Sequence, residues 1–135
     1  MHQLPDPEAR SSETLLFVYG TTMAGEANHE FLTGARSLGS AVTAPAYDLV
    51  DLGGFAAMLE GGDTAVTGEL YALSPAHLRL FDELEDHPEY FRRSRIVLED
   101  GREVAAYLLP ESQGRPYPRI PSGSWRALRQ RRRPA

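Results

Sequence analysis

Residues 15–23 read Leu15-Leu16-Phe17-Val18-Tyr19-Gly20-Thr21-Thr22-Met23: five apolar or aromatic side chains, then at once a glycine and two threonines. An unbroken apolar run of this length suits a strand covered on both faces, so it predicts a core strand over 14–19. Gly20 permits a backbone that a residue with a Cβ resists. Thr21 and Thr22 hydrogen-bond locally and leave main-chain N–H groups turned outward. A strand ending in such a turn offers donors to a carboxylate or phosphate. The same composition also suits an ordinary core strand that simply ends in a turn.

Working outward, strands are expected over 35–42, 46–52, 55–59 and 65–73, separated by Gly53-Gly54 and by Gly61-Gly62-Asp63. The last of them alternates Val66, Gly68, Leu70 and Ala72 with Thr67, Glu69 and Tyr71. Asn28 is placed to cap a short helix through Phe31 and Leu32 that Gly34 stops. Ser74-Pro75 is the clearest helix start in the chain, a capping hydroxyl followed by proline at the first helical position. Leu78, Phe81 and Leu84 then recur at spacing three, with Leu80 beside them as an apolar stripe, and Pro88 ends the helix. Asp82 and Glu85 lie on neighbouring faces, Glu85 at or past the last turn. Two strands, 91–98 and 103–109, meet through a hairpin with Asp100-Gly101 at its tip. Pro110 to Pro121 reads as loop, and Ser122 is placed to cap a last helix holding Trp125 and Leu128. Many short strands with few helices predict an α+β fold: a small mixed or antiparallel barrel-like sheet with peripheral helices.

Val18-Tyr19-Gly20-Thr21, Gly68-Glu69-Leu70-Tyr71, Phe81-Asp82-x-x-Glu85, Tyr90-x-Arg92 and Ser122-Gly123-x-Trp125 occur in this order. In this set the chain resembles the gamma-glutamylcyclotransferase-like family over residues 14–128. That leaves a mobile segment over 1–13 and an arginine-rich tail over 129–135. The resemblance implies a compact β-barrel with its site at one mouth. It also implies a reaction in which the α-amine of a γ-glutamyl amide attacks its own γ-carbonyl, releasing 5-oxoproline and a free amine. A tethered nucleophile makes orientation worth about 7 kcal/mol or more in favourable cases. Proton transfer by one carboxyl group adds about 10² to 10⁴-fold.

By resemblance Glu85 is that carboxyl group, base towards the α-amine and acid towards the leaving nitrogen. Apolar surroundings would raise its pKa towards neutrality, as the role requires. Tyr19, Gly20, Thr21 and Thr22 would hold the γ-glutamyl portion through main-chain N–H groups, although Tyr19 equally suits a core aromatic with a satisfied hydroxyl. Tyr90 would orient substrate or line the mouth, Tyr117 would cover the pocket, and Arg92 would pair with a nearby acid. Three positions depart from the family pattern: Thr22 for leucine, Ala56 for proline and Asp86 for glycine. Asp86 would add like-charge repulsion at Glu85. The alternative to an enzyme is a non-catalytic module that binds a γ-glutamyl-like or other small anionic ligand.

A chain of 135 residues is one domain's length, and 41% apolar residues match a globular protein. Cysteine is absent, so no thiolate nucleophile, disulfide framework or Cys-based metal site exists. His2, His29, His77 and His87 have no ligand spacing, so no metal and no cofactor are expected. No run approaches the roughly 18 apolar residues of a membrane span, and residues 1–13 lack a signal peptide's apolar core. Location in the cytoplasm is therefore expected, with a small-molecule substrate and no membrane partner. Seven arginines and no acid lie from Arg115 onward, a charge of +7, against −12 for the preceding residues and −5 overall. The cluster Arg129, Arg131, Arg132 and Arg133 has no interleaved aromatics. It reads as a solvated tail rather than a nucleic-acid contact. Nothing in the sequence signals an oligomeric state.

Overall fold

The computed structural model describes residues 12–132. All but the last two residues of the predicted N-terminal segment, and Arg133 of the tail, lie outside the described residues.

Seven strands form one sheet: β1 (Thr14–Val18), β2 (Arg36–Val42), β3 (Tyr47–Asp51), β4 (Ala56–Glu60), β5 (Thr67–Leu73), β6 (Arg92–Val97) and β7 (Glu103–Leu108). Three helices accompany them: α1 (Pro75–Leu84), the short α2 (Glu111–Gly114) and α3 (Trp125–Arg131), with a 3₁₀ turn at His29–Leu32. The strand order is β2-β5-β1-β7-β4-β3, with β6 also on β7. This is the α+β class that the strand and turn spacing predicts. The buried run is also where it is expected: β1 lies centrally, antiparallel to β5 and parallel to β7, with Leu16, Phe17 and Val18 buried. Phe17 sits so close to β5 that a Cβ on Gly68 would overlap both its ring and the Val18 carbonyl oxygen. At the far end an isolated bridge pairs Thr43 with Leu98. Ala44 N–H donates to the Val97 carbonyl and Glu99 N–H to the Val42 carbonyl, each at 2.9 Å. The ends of β2 and β6 therefore meet, and the sheet curls towards closure.

The feature that creates a site is a fork. β6 occupies one edge of β7 along its whole length. β1 and β4 share the other edge in succession, parallel to it, β1 at Ala105 and β4 at Leu108. Where two strands part from a third, main-chain groups lose their ladder partners, and buried ones must find others. Tyr19, the residue after β1, supplies them. Its buried hydroxyl donates to the Tyr107 carbonyl at 2.6 Å and accepts from Met58 N–H at 3.1 Å. Tyr19 is thus a core aromatic with a satisfied hydroxyl, and it holds the fork open.

Several local expectations differ from the structure. Asn28 does not cap the 3₁₀ turn. Its amide donates to Thr21 Oγ1 at 3.0 Å instead. Helix α3 is capped by Ser124, which accepts from Ala127 N–H at 3.0 Å, not by Ser122. Gly123, at φ +71°, keeps the chain out of the helix until that point. Ser74 does cap α1, accepting from His77 N–H at 3.1 Å. The apolar stripe of α1, however, buries only Phe81, while Leu80 is 63% exposed. Part of the predicted 110–121 loop is the single turn α2. The expected solvated tail is half structural: Arg129 lies in α3 and pairs with buried Glu26, and Arg132 pairs with Asp51 at 2.6 Å.

Candidate active site

The fork opens into a cleft. Tyr19, Gly20, Thr21 and Thr22 form one wall, and Phe55 and Ala56, at the start of β4, form another. Phe81 and Glu85 reach in from α1, with Phe91 and Tyr107 behind them.

The loop after β1 is fastened by its carbonyls and side chains. Met23 N–H closes a turn onto the Gly20 carbonyl at 3.1 Å, and Asn28 N–H bonds the Thr21 carbonyl at 2.8 Å. His29 Nδ1 lies 2.9 Å from the Thr22 carbonyl. The N–H groups of Gly20, Thr21 and Thr22 have no partner among the described residues, and this wall faces the cleft. Convergent free main-chain donors are what an anion needs.

Glu85 stands opposite, at the end of α1. Asp86 takes the left-handed conformation, φ 55°. Its N–H bonds the Glu83 carbonyl at 3.1 Å, and His87 N–H bonds the Asp82 carbonyl at 2.8 Å. These are the paired bonds of a Schellman ending, with aspartate where glycine is usual. The helix thus ends at this left-handed residue rather than at Pro88, and the ending fixes Glu85 as the last residue before the chain turns away. The Glu85 carboxyl is half-buried and forms no hydrogen bond or ion pair with any described residue. Burial pushes its pKa up to about 7. Asp86 does not add to that shift, so the expected like-charge contribution is absent.

The neighbouring acid is in the opposite condition. Asp82 accepts from Arg93 Nη1 at 2.5 and 2.7 Å and from the Tyr107 hydroxyl at 2.7 Å. Its charge is answered, which leaves Glu85 as the one carboxyl group lining the cleft. Arg93 therefore makes the acid pairing expected of Arg92, whose Nε donates to the Pro88 carbonyl at 3.4 Å. Alternation along β6 decides this, because adjacent strand residues point to opposite faces.

Tyr90 borders the outer side of Glu85. Burial raises its pKa, as do Tyr117 and Glu85 beside it. Tyr117 is exposed and does not line the cleft itself. The structure thus brings together Tyr19, Gly20, Thr21, Thr22, Glu85 and Tyr90, with Tyr117 outside near Tyr90. Phe55, Phe91 and Asn28 belong to the same site and were not legible. Phe55 had one signal, its place after the Gly53-Gly54 turn; Gly53 has φ +111°.

Residues 16–127 match the family described as Gamma-glutamyl cyclotransferase, AIG2-like. A protein of Vibrio cholerae serotype O1, named "Putative gamma-glutamylcyclotransferase", is 39% identical over 111 residues, covering 82% of this chain and 94% of its own. The gamma-glutamylaminecyclotransferase of Mus musculus is 30% identical over 93 residues, 62% of each chain. Among solved structures, a uropathogenic E. coli-specific protein superimposes with a TM-score of 0.78 at 27% identity, covering 87% of this chain and 96% of its own. The match spans the fork, the donor loop and the helix carrying Glu85, and on that ground the chain belongs to the gamma-glutamyl cyclotransferase, AIG2-like family.

Proposed function

We propose that this chain cleaves a γ-glutamyl amide by internal cyclisation, with Glu85 moving the protons. The substrate's α-carboxylate lies against the N–H groups of Gly20, Thr21 and Thr22. No arginine or histidine lines the cleft, so an anion there is met by main-chain N–H groups and the threonine hydroxyls rather than by a cationic side chain. The α-amine and γ-carbonyl are then held near Glu85. The amine nitrogen forms a bond to the γ-carbon, the bond from that carbon to the leaving nitrogen breaks, and the carbonyl is retained in the lactam. The substrate's α-ammonium carries three protons and the lactam nitrogen keeps one. The other two end on the departing amine, which leaves as an ammonium ion. The exchange is balanced within the substrate and calls for no cofactor. A base with a pKa near the working pH passes each proton with least loss of driving force.

The observation that carries this reading is the half-buried, unpaired Glu85 carboxyl lining the same cleft as three free main-chain donors, where burial pushes its pKa up to about 7. The test is product analysis by mass spectrometry. Wild-type chain incubated with γ-glutamyl amides is expected to yield 5-oxoproline, and Glu85→Gln is expected to lose at least about 10²-fold of that turnover. Free glutamate in place of 5-oxoproline would make the site a hydrolase. Tight binding of a γ-glutamyl amide without any product would make it a binding module.

A further inference from the structure

Asn28 gives up the bond that its position offers. It precedes the 3₁₀ turn at His29–Leu32, where a side-chain oxygen ordinarily accepts from a free N–H, and it caps nothing. Its amide instead donates from Nδ2 to Thr21 Oγ1 at 3.0 Å. Its main-chain N–H bonds the Thr21 carbonyl at 2.8 Å, and the next residue, His29, lies with Nδ1 2.9 Å from the Thr22 carbonyl. The turn is itself pinned. Phe31 N–H bonds the Asn28 carbonyl at 3.1 Å, and His77 Nε2, from the first turn of α1, lies 2.7 Å from the Phe31 carbonyl. Asn28 is thus held from behind against the loop that it grips.

In a trans peptide the carbonyl and the N–H that follows it point in opposite directions. A Thr21 carbonyl turned to Asn28 therefore turns the Thr22 N–H the other way. The side-chain bond sets a second donor. A threonine hydroxyl has one proton and two lone pairs. The Asn28 amide occupies a lone pair of Thr21, so the proton is left to donate, and no described residue accepts it. Thr21 lines both the inner hollow and its continuation past Glu85, and Asn28 borders that continuation. A hydroxyl that accepts one hydrogen bond also gives a stronger one.

Resting on the cyclotransferase reading, we infer that Asn28 is a positioning residue whose amide fixes the Thr21 hydroxyl as a donor to the substrate's α-carboxylate. The hydroxyl joins the N–H groups of the loop, and the set favours a group with two acceptor oxygens over a carboxamide, which brings donors of its own. Asn28 exerts this preference through Thr21.

The direction of the Asn28 bond is what a substitution reverses. Asn28→Asp keeps the shape and replaces the donor by an acceptor, so the Thr21 hydroxyl donates to it and faces the ligand with a lone pair. The dissociation constant of γ-glutamyl ethylamide is read by calorimetry in the Glu85→Gln background, which is not expected to consume it. KM and kcat are read with Glu85 intact. Asn28→Asp is expected to weaken binding and raise KM at least about tenfold, the worth of a hydrogen bond to a charged group, with kcat within about threefold. The α-carboxamide of the same ligand is expected to lose less, and Thr21→Ser to behave as wild type. In Thr21→Val there is no hydroxyl to turn, and the effect of Asn28→Asp is expected to be at least about threefold smaller. An equal loss in the threonine and valine backgrounds would reduce the effect to charge repulsion and overturn the inference. So would an Asn28→Asp protein that binds as wild type does, or an equal loss for carboxylate and carboxamide. No 5-oxoproline from wild type, with the expected binding pattern intact, would overturn the cyclotransferase reading alone.

Discussion

Glu85 is a carboxyl group held where its charge is unwelcome. Its ordinary pKa of 4.5 rises to about 7 through burial, and no described residue pairs with it. Between those two pH values the folded chain binds a proton that the unfolded chain has lost. Its contribution to stability therefore falls as pH rises from about 4.5 to about 7 and stays low above that. Glu85→Gln removes this penalty. It is expected to be more stable than wild type at pH 8, by on the order of 2 kcal/mol and with a higher melting temperature, and the difference is expected to shrink at pH 5. The same titration predicts an acid limb in kcat/KM, which falls about tenfold per pH unit below about 7 because a protonated Glu85 cannot accept from the amine. A variant no more stable than wild type at pH 8 would mean that the carboxyl is better solvated than its setting indicates. Glu85 itself was legible, because its place in Phe81-Asp82-x-x-Glu85 is part of an ordered pattern. Its lack of a partner was not, since Asp82 sits three residues away and only the fold sends Arg93 and Tyr107 to one acid and not the other.

At the scale of elements, the end of α1 aims the proposed general acid–base. Asp86 adopts φ 55° there, a conformation that costs a residue with a Cβ about 1 kcal/mol or more. Asp86→Gly is expected to stabilise the chain by about 1 kcal/mol in urea melts. It should leave the acid limb near pH 7, because burial and not Asp86 raises Glu85. A shift of that limb to lower pH would show that Asp86 acts on Glu85 electrostatically. The helix start was readable from Ser74-Pro75 because capping is local chemistry. The stripe was misleading because amphipathic spacing says which face is apolar and not how much of it finds a cover; Leu80 finds none.

Across the whole molecule, the C-terminal helix holds the donor loop in place. Glu26, with 2% of its side chain exposed, receives Arg129 Nε at 2.7 Å and Nη2 at 2.9 Å. Arg126 donates to the Ala24 carbonyl at 2.6 Å, and Ala24 N–H donates to Glu69 on β5 at 2.8 Å. α3, the loop carrying Gly20 to Thr22, and the sheet are thereby tied into one network. Arg129→Met leaves Glu26 with Arg126 alone, 3.6 Å away. Breaking a buried pair outright costs about 3–5 kcal/mol, and the remaining arginine offsets part of that, so a loss of about 2 kcal/mol is expected. The freed loop is expected to raise KM for a γ-glutamyl amide more than it lowers kcat. Equal effects on both, or none on stability, would detach the helix from the site.

The sequence by itself determined the strands, the turns and the start of α1, and its resemblance to the family put forward Glu85 and the Tyr19-Gly20-Thr21-Thr22 loop as candidates. The strands, turns and helix start rest on local physics: runs that bury two faces, glycines that permit a turn, a hydroxyl and a proline that begin a helix. Only the tertiary structure decided that β1 and β4 part along β7, that the Tyr19 hydroxyl bridges the gap, and that Phe55, Phe91 and Tyr90 line up beyond Glu85. It also turned part of an apparent tail into an ionic anchor. Each of these joins residues far apart in the chain, whose meeting depends on how strands share an edge and which buried charge lacks a partner, and spacing along the chain carries neither.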